Sequence, residues 1–147
     1  MKKLIVFILI ALFLCLSGLC FEKDFVSIRN LFPNAEIELY VTNVALSDKN
    51  YITNGEGFII FTTMEEIEDI IKTHEVIGYT LKIGKISWSK MAKILQAASV
   101  VFDGKFMYGY SNFFSNHIVI NQDKVNFQCV FLHNKTLIGT PLLLGSY

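Results

Sequence analysis

SVVFDGKFMYGYS, residues 99–111, decides how the second half of this chain folds. Runs of β-branched and aromatic residues flank Asp103-Gly104, a dipeptide that favours a tight type I′ hairpin turn. The stretch therefore reads as two antiparallel strands. The remainder, NHIVINQDKVNFQCVFLHNKTLIGTPLLLGSY (116–147), continues as strand, turn at 121–124, strand, turn at 133–135 and strand. An antiparallel meander fills the second half.

Upstream of residue 99 the periodicity alternates between two kinds. EIELYVTN (36–43) sets Ile37, Leu39 and Val41 against Glu36, Glu38, Tyr40 and Thr42, the pattern of a strand with one wet face. LSDKNYITNGEG (46–57) is turn-rich, with a hairpin signal at Asn54-Gly55, and GFIIFTT (57–63) is a second strand. Thr63 to Glu66 has the form of a capping box, Thr63 at the cap and Glu66 reaching back. It opens a helix over about 64–74 with Ile67, Ile70 and Ile71 on one face and acids in its first turns, where the helix dipole favours them. VIGYTLKI (76–83) is a strand. Ser87 or Ser89 caps a further helix, SKMAKILQAA, with Met91, Ile94, Leu95 and Ala98 inward. Near the start, Phe21, Phe25, Ile28 and Phe32 share one helical face that ends at Pro33. From 36 onward the order is β β α β α β β β β β. That is an α+β domain, a largely antiparallel sheet with two or three helices on one face.

The first twenty residues, MKKLIVFILIALFLCLSGLC, are of another kind. Lys2 and Lys3 precede an unbroken apolar run over 4–16; Ser17 and Gly18 loosen it, and Glu22, Lys23 and Asp24 follow Phe21. Residues 1–20 read as a signal peptide cut before Phe21. Counted through Phe21, residues 4–21 are long enough to span, which makes an uncleaved anchor, an N-terminal apolar helix, the second reading behind the signal peptide. Gly18 and Cys20 stand where a small-x-small cleavage site would be. Leu19 directly before Cys20 does not fit a lipoprotein signal. In either case the positive end stays inside and the domain, 21–147, is exported beyond the cytoplasmic membrane.

Charge and chemistry narrow the function classes. The 147 residues carry a formal net charge of +0, with single scattered lysines and Arg29 as the lone arginine. Nucleic acid is gripped by clustered basic side chains, so no nucleic-acid partner is expected, and membrane contact is expected only through the N-terminal segment. His74, His117 and His133 lack metal-ligand spacing, and there is no Cys-x-x-Cys, so no metal and no cofactor are expected. Glu65, Glu66, Glu68 and Asp69 read as capping and solubility, and Gly55-Glu56-Gly57 as a turn. Once residues 1–20 are set aside, Cys129 has no disulfide partner. It lies in an apolar run, VNFQCVFL, as a small core residue. With His117 or His133 it would form the one thiolate pair the sequence offers. KFMYGYSNFF places Phe106, Tyr108 and Tyr110 on one strand face, with Phe113 and Phe114 beyond. The strip is either a core face with tyrosine hydroxyls at its rim or a surface that stacks a ligand. It is the one patch proposed as a ligand-binding surface.

The closing stretch, VNFQCVFLHNKTLIGTPLLLGSY, with Gly139-Thr140-Pro141 and a terminal Tyr147, resembles the ends of small exported proteins of Gram-positive, clostridium-like bacteria, the YwmB-like group. The resemblance implies an export segment followed by an α+β domain, and it implies no catalytic residues. The expected function is that of a non-catalytic, envelope-associated binding or assembly module whose partner is another envelope protein. The alternative is a small envelope hydrolase or ligand-binding protein, using Cys129 with a histidine or the aromatic strip at 106–114 with Asp103.

Overall fold

The computed structural model describes residues 22–44, 50–55 and 57–143. The signal or anchor segment and the terminal Tyr147 lie outside the described residues. The first helix, α1, covers 22–31, and Phe32 N still donates to Ile28 O at 2.7 Å before Pro33 stops it. Phe25, Ile28 and Phe32 of its apolar face are buried. The elements that follow are β1 (Glu36–Val41), β2 (Tyr51–Asn54), β3 (Gly57–Thr63), α2 (Ile67–Thr73), β4 (Val76–Gly84) and α3 (Trp88–Ile94). Then come β5 (Ser99–Asp103), β6 (Phe106–Tyr110), β7 (Ile118–Ile120), β8 (Asp123–Val125), β9 (Phe127–Phe131) and β10 (Lys135–Thr140).

The fold is α+β. Among the described residues eight strands form one antiparallel sheet in the order β2-β3-β1-β4-β10-β9-β6-β5, while β7 and β8 make a separate hairpin. Pairing of β4 with β10 joins the two halves of the chain into one surface. The register aligns Thr62, Ile37, Leu81, Ile138, Cys129, Met107 and Phe102 in a single row from β3 to β5. All three helices among the described residues cover this face. Phe25, Ile28, Ile67, Ile71, Met91 and Leu95 join Ile37, Leu39, Leu81, Cys129, Met107 and Ile138 in one apolar core.

The opposite face is not the wet face that alternation suggests. Its row reads Phe61, Glu38, Thr80, Gly139, Gln128, Tyr108 and Val101. Glu38 and Tyr40 are buried because β1 lies between β3 and β4 rather than at an edge. Glu38 pairs there with Lys82 at 2.5 Å, and the Tyr40 hydroxyl donates to it at 3.5 Å. After a cis Thr140-Pro141 bond the chain doubles back over Gly139, and Leu143 N donates to Gln128 Oε1 at 3.0 Å. A Cβ on Gly139 would lie 2.6 Å from Leu143 Cα, so only glycine admits that return.

Several local expectations change. Thr63 ends β3 instead of capping a helix; residues 64–66 form a turn, and Glu66 stands at the start of α2 with no side-chain cap bond. Sheet pairing to Glu36 has taken Thr63. Ser87 does cap α3, accepting from Lys90 N at 3.4 Å, but Ala98 is exposed because the helix ends at Ile94. Tyr51–Asn54, within the turn-rich stretch, forms a strand by adding to β3. The 99–111 hairpin turns on Gly104-Lys105, with Asp103 opposite Phe106. Of those two only Gly104 has positive φ, +59°, the pattern of a type II′ turn. The type I′ pattern falls instead at Asn121 and Gln122, with φ of 50° and 75°, between β7 and β8.

Candidate binding surface

On β6 the helix-covered face carries Met107 and Gly109, so Phe106, Tyr108 and Tyr110 lie on the other face. A core role under the helices is therefore not theirs. All three are half-buried. The rings of Phe106 and Tyr108 sit 6.3 Å apart, and the Lys105 ammonium lies 5.5 Å from the Phe106 centroid. The Tyr108 hydroxyl accepts from Gln128 Nε2 at 3.1 Å, and Tyr110 meets His117 edge-on at 6.4 Å. Phe113 is half-buried, while Phe114 is in the core against Phe127. The strip is thus split between a surface and a core role.

A second aromatic cluster lies at the turn end of the 99–110 hairpin. Trp88, at the start of α3, is 56% exposed and Phe102, on β5, is 48% exposed. Their rings meet edge-to-face at 4.9 Å. With Ile86, Ser87, Gly104, Lys105, Phe106 and Phe131 they line a hollow of about 240 Å³. Large apolar side chains left half in water beside a concavity are a signal of recognition rather than folding. Sequence reasoning had no route to this pair. Trp88 falls three residues before Met91 and seven before Leu95, which on period alone would bury it. Its exposure follows from its place at the helix end, off the rim of the sheet. A more polar cleft of about 280 Å³ lies across the sheet, lined by Glu36, Glu38, Phe61, Thr62, Glu66 and Lys82 among others. Lys82 there is engaged with Glu38 and sits 5.8 Å from the Phe61 centroid.

The thiol chemistry is poorly placed. Cys129 is fully buried in the row between Ile138 and Met107, and burial pushes its thiol pKa far up. A thiolate is the nucleophilic form, and this site disfavours it. His117 and His133 are both exposed, at the opposite end of that burial scale. Among the described residues no group of three acids, histidines or cysteines could hold a metal ion, and no helix is long and apolar enough to cross a membrane.

One ionisable group in the core has no sequence signal at all. Asp24, on α1, is 1% exposed, and its Oδ1 accepts from Ser115 N at 2.9 Å and from Ser115 Oγ at 2.6 Å. Tyr79 faces the same carboxyl and also Thr140, its cross-strand partner. Burial raises the Asp24 pKa from 3.8 to about 6, against hydrogen bonds from Ser115 and Tyr79 and the charge of Lys23. Asn126 holds the Ser115 loop in place. It accepts from Ser111 N at 2.8 Å and donates to the carbonyls of Ser111 and Phe114 at 2.7 and 2.9 Å. Asp24 thus ties α1 to a loop ninety-one residues away in sequence.

Comparison with family models, curated proteins and solved structures finds no match to this chain.

Proposed function

We propose that this chain is an exported bacterial protein whose α+β domain works outside the cytoplasmic membrane as a non-catalytic binding module for another envelope protein. The observation that carries the reading is the exposed Trp88–Phe102 pair over its hollow at the edge of the sheet. Placement outside the membrane rests on the form of residues 1–21, and the likeness of the closing stretch to the YwmB-like group supports the same placement. The absence of a gathered nucleophile, base and orienting group among the described residues favours binding over hydrolysis. A thiolate hydrolase would need Cys129 ionised in the core, which its burial opposes.

The test is the intact mass of the protein made in a Gram-positive host, with membrane, medium and cytosol separated. A species beginning at Phe21 in the medium means secretion; a full-length species in the membrane means anchoring by residues 4–21. Full-length protein confined to the cytosol overturns the envelope reading.

A further inference from the structure

Two features meet at the Trp88–Phe102 cluster, and only together do they specify a partner. The first is backbone. Among the described residues β5 has a strand neighbour on one side only, β6. In a two-residue hairpin the pair flanking the loop is hydrogen-bonded, here Asp103 and Phe106. Alternation then turns the N–H and C=O of Val101 toward β6, and those of Val100 and Phe102 away from the sheet. The second feature is the hollow, whose walls are Ile86, Trp88, Phe102, Phe106 and Phe131. Its polar lining is slight: the Ser87 hydroxyl is already committed to the α3 cap, and the one charged lining residue, Lys105, lies over the Phe106 ring. A sugar would find rings to stack on but few partners for its hydroxyls.

The edge is lightly guarded: β5 carries one charge, Asp103 at its turn end, and Ser99 to Phe102 hold no lysine, proline or charge, the devices by which edge strands avoid pairing. Val101 is 60% exposed on one side of it and Phe102 is half-exposed on the other. The size of the patch selects the occupant. Half of each large ring plus Val101 offers on the order of 300 Å² of apolar surface. Two copies paired edge to edge would bury roughly 600 Å² of apolar surface from these side chains, below the roughly 800 Å² carried by the smallest stable homodimer interfaces. The patch suits one strand of peptide.

We infer that β5 takes up an extended segment of a partner polypeptide, adding it as a ninth strand paired to Val100 and Phe102, with one bulky apolar side chain packed on the Trp88–Phe102 pair at the mouth of the hollow. This rests on the binding-module reading above and adds its partner class. Main-chain pairing supplies the affinity that is blind to sequence, and the hollow supplies the preference for a large residue.

Trp88 is the chain's single tryptophan, so its fluorescence reports on the hollow directly. The probe is a capped hexapeptide of β-branched residues with one central phenylalanine, titrated into the full-length protein. Saturable change in Trp88 emission is expected. Alanine at the centre should weaken binding about ten-fold or more. Methylating the peptide amides that face β5 should weaken it by a similar factor, about ten-fold. Phe102→Ala, checked for folding by far-UV circular dichroism, should show the same loss. Equal binding of the methylated peptide overturns the strand pairing, and equal binding of the alanine peptide overturns the anchor. Response to an N-acetylglucosamine oligosaccharide alone, concentration-dependent dimerisation through β5, or no response to any probe overturns the inference as a whole. Fractionation separates this from the envelope reading: an exported chain that ignores the peptide sinks only the inference, and a cytosolic chain that binds it sinks only the envelope placement.

Discussion

Replacing Asp24 by asparagine should stabilise the protein at neutral pH and leave it nearly unchanged in acid. In the fold the carboxyl is almost sealed from water, and burial lifts its pKa from 3.8 to about 6. A group whose folded pKa lies above its unfolded value holds its proton more tightly in the fold. Its contribution is therefore whole below pH 3.8 and is lost as the pH rises through about 6. The gap of about 2 units, at about 1.4 kcal/mol each, amounts to about 3 kcal/mol. Asp24→Asn keeps an oxygen to accept from Ser115 N and Oγ, and its amide can donate to the Tyr79 hydroxyl, which Thr140 can still pair. It removes the charge and keeps the shape. Urea unfolding of both proteins, followed by far-UV circular dichroism at several pH values, isolates this one group because every other carboxylate is common to the two. The difference should be near zero at about pH 3 and grow to about 3 kcal/mol in favour of Asp24→Asn at about pH 8. A variant that is the less stable of the two at pH 8 would falsify the reasoning. It would mean that the ionised carboxylate, through Ser115 and Tyr79, holds α1 down more strongly than desolvation opposes it.

Cys129 should be inert in the native protein: thiol reagents at mildly alkaline pH should label it only as fast as the chain unfolds, read by the mass of the peptide that contains it. Labelling at the rate of a free thiol would return Cys129 to the list of nucleophiles. Gly109→Ala should cost about 2–3 kcal/mol in urea unfolding, because its Cβ would clash with the Ser99 backbone carbonyl and lie 2.6 Å from Phe127 Cζ. Gly84→Ala, with open space around it, should change stability by less than about 0.5 kcal/mol. Lys82→Met should lose about 1–3 kcal/mol by stranding Glu38, and adding Glu38→Gln should recover part of the loss, giving a clear coupling term in a double-mutant cycle. Additivity of the two changes would show the ion pair to be incidental.

Most of the elements were legible because their signals are local. The face of α1 with Phe25, Ile28 and Phe32, the Ser87 cap and the positive φ of Gly104 each depend on a few neighbouring residues. So does the two-sidedness of β6, where period two alone separates Phe106, Tyr108 and Tyr110 from Met107 and Gly109. Which of those two sides would be covered was not legible. That followed from where the helices land, and the helices land according to contacts made across the whole sheet.

The same division runs through the site. Sequence by itself determined a mixed fold, most of its strands in chain order though not β2 or the break between β8 and β9, a hydrophobic core and an N-terminal segment of a different character. It also marked β6 as aromatic. Tertiary structure decided that β4 pairs with β10, that β1 is interior and buries Glu38, and that Thr63 serves a strand rather than a helix cap. It alone brought Trp88 to Phe102 and Asp24 to Ser115. Periodicity and turn chemistry act over a few residues and need no partner. Strand neighbours, burial of a second face and meetings between distant side chains depend on loop closures whose entropy is repaid only when the whole sheet has formed.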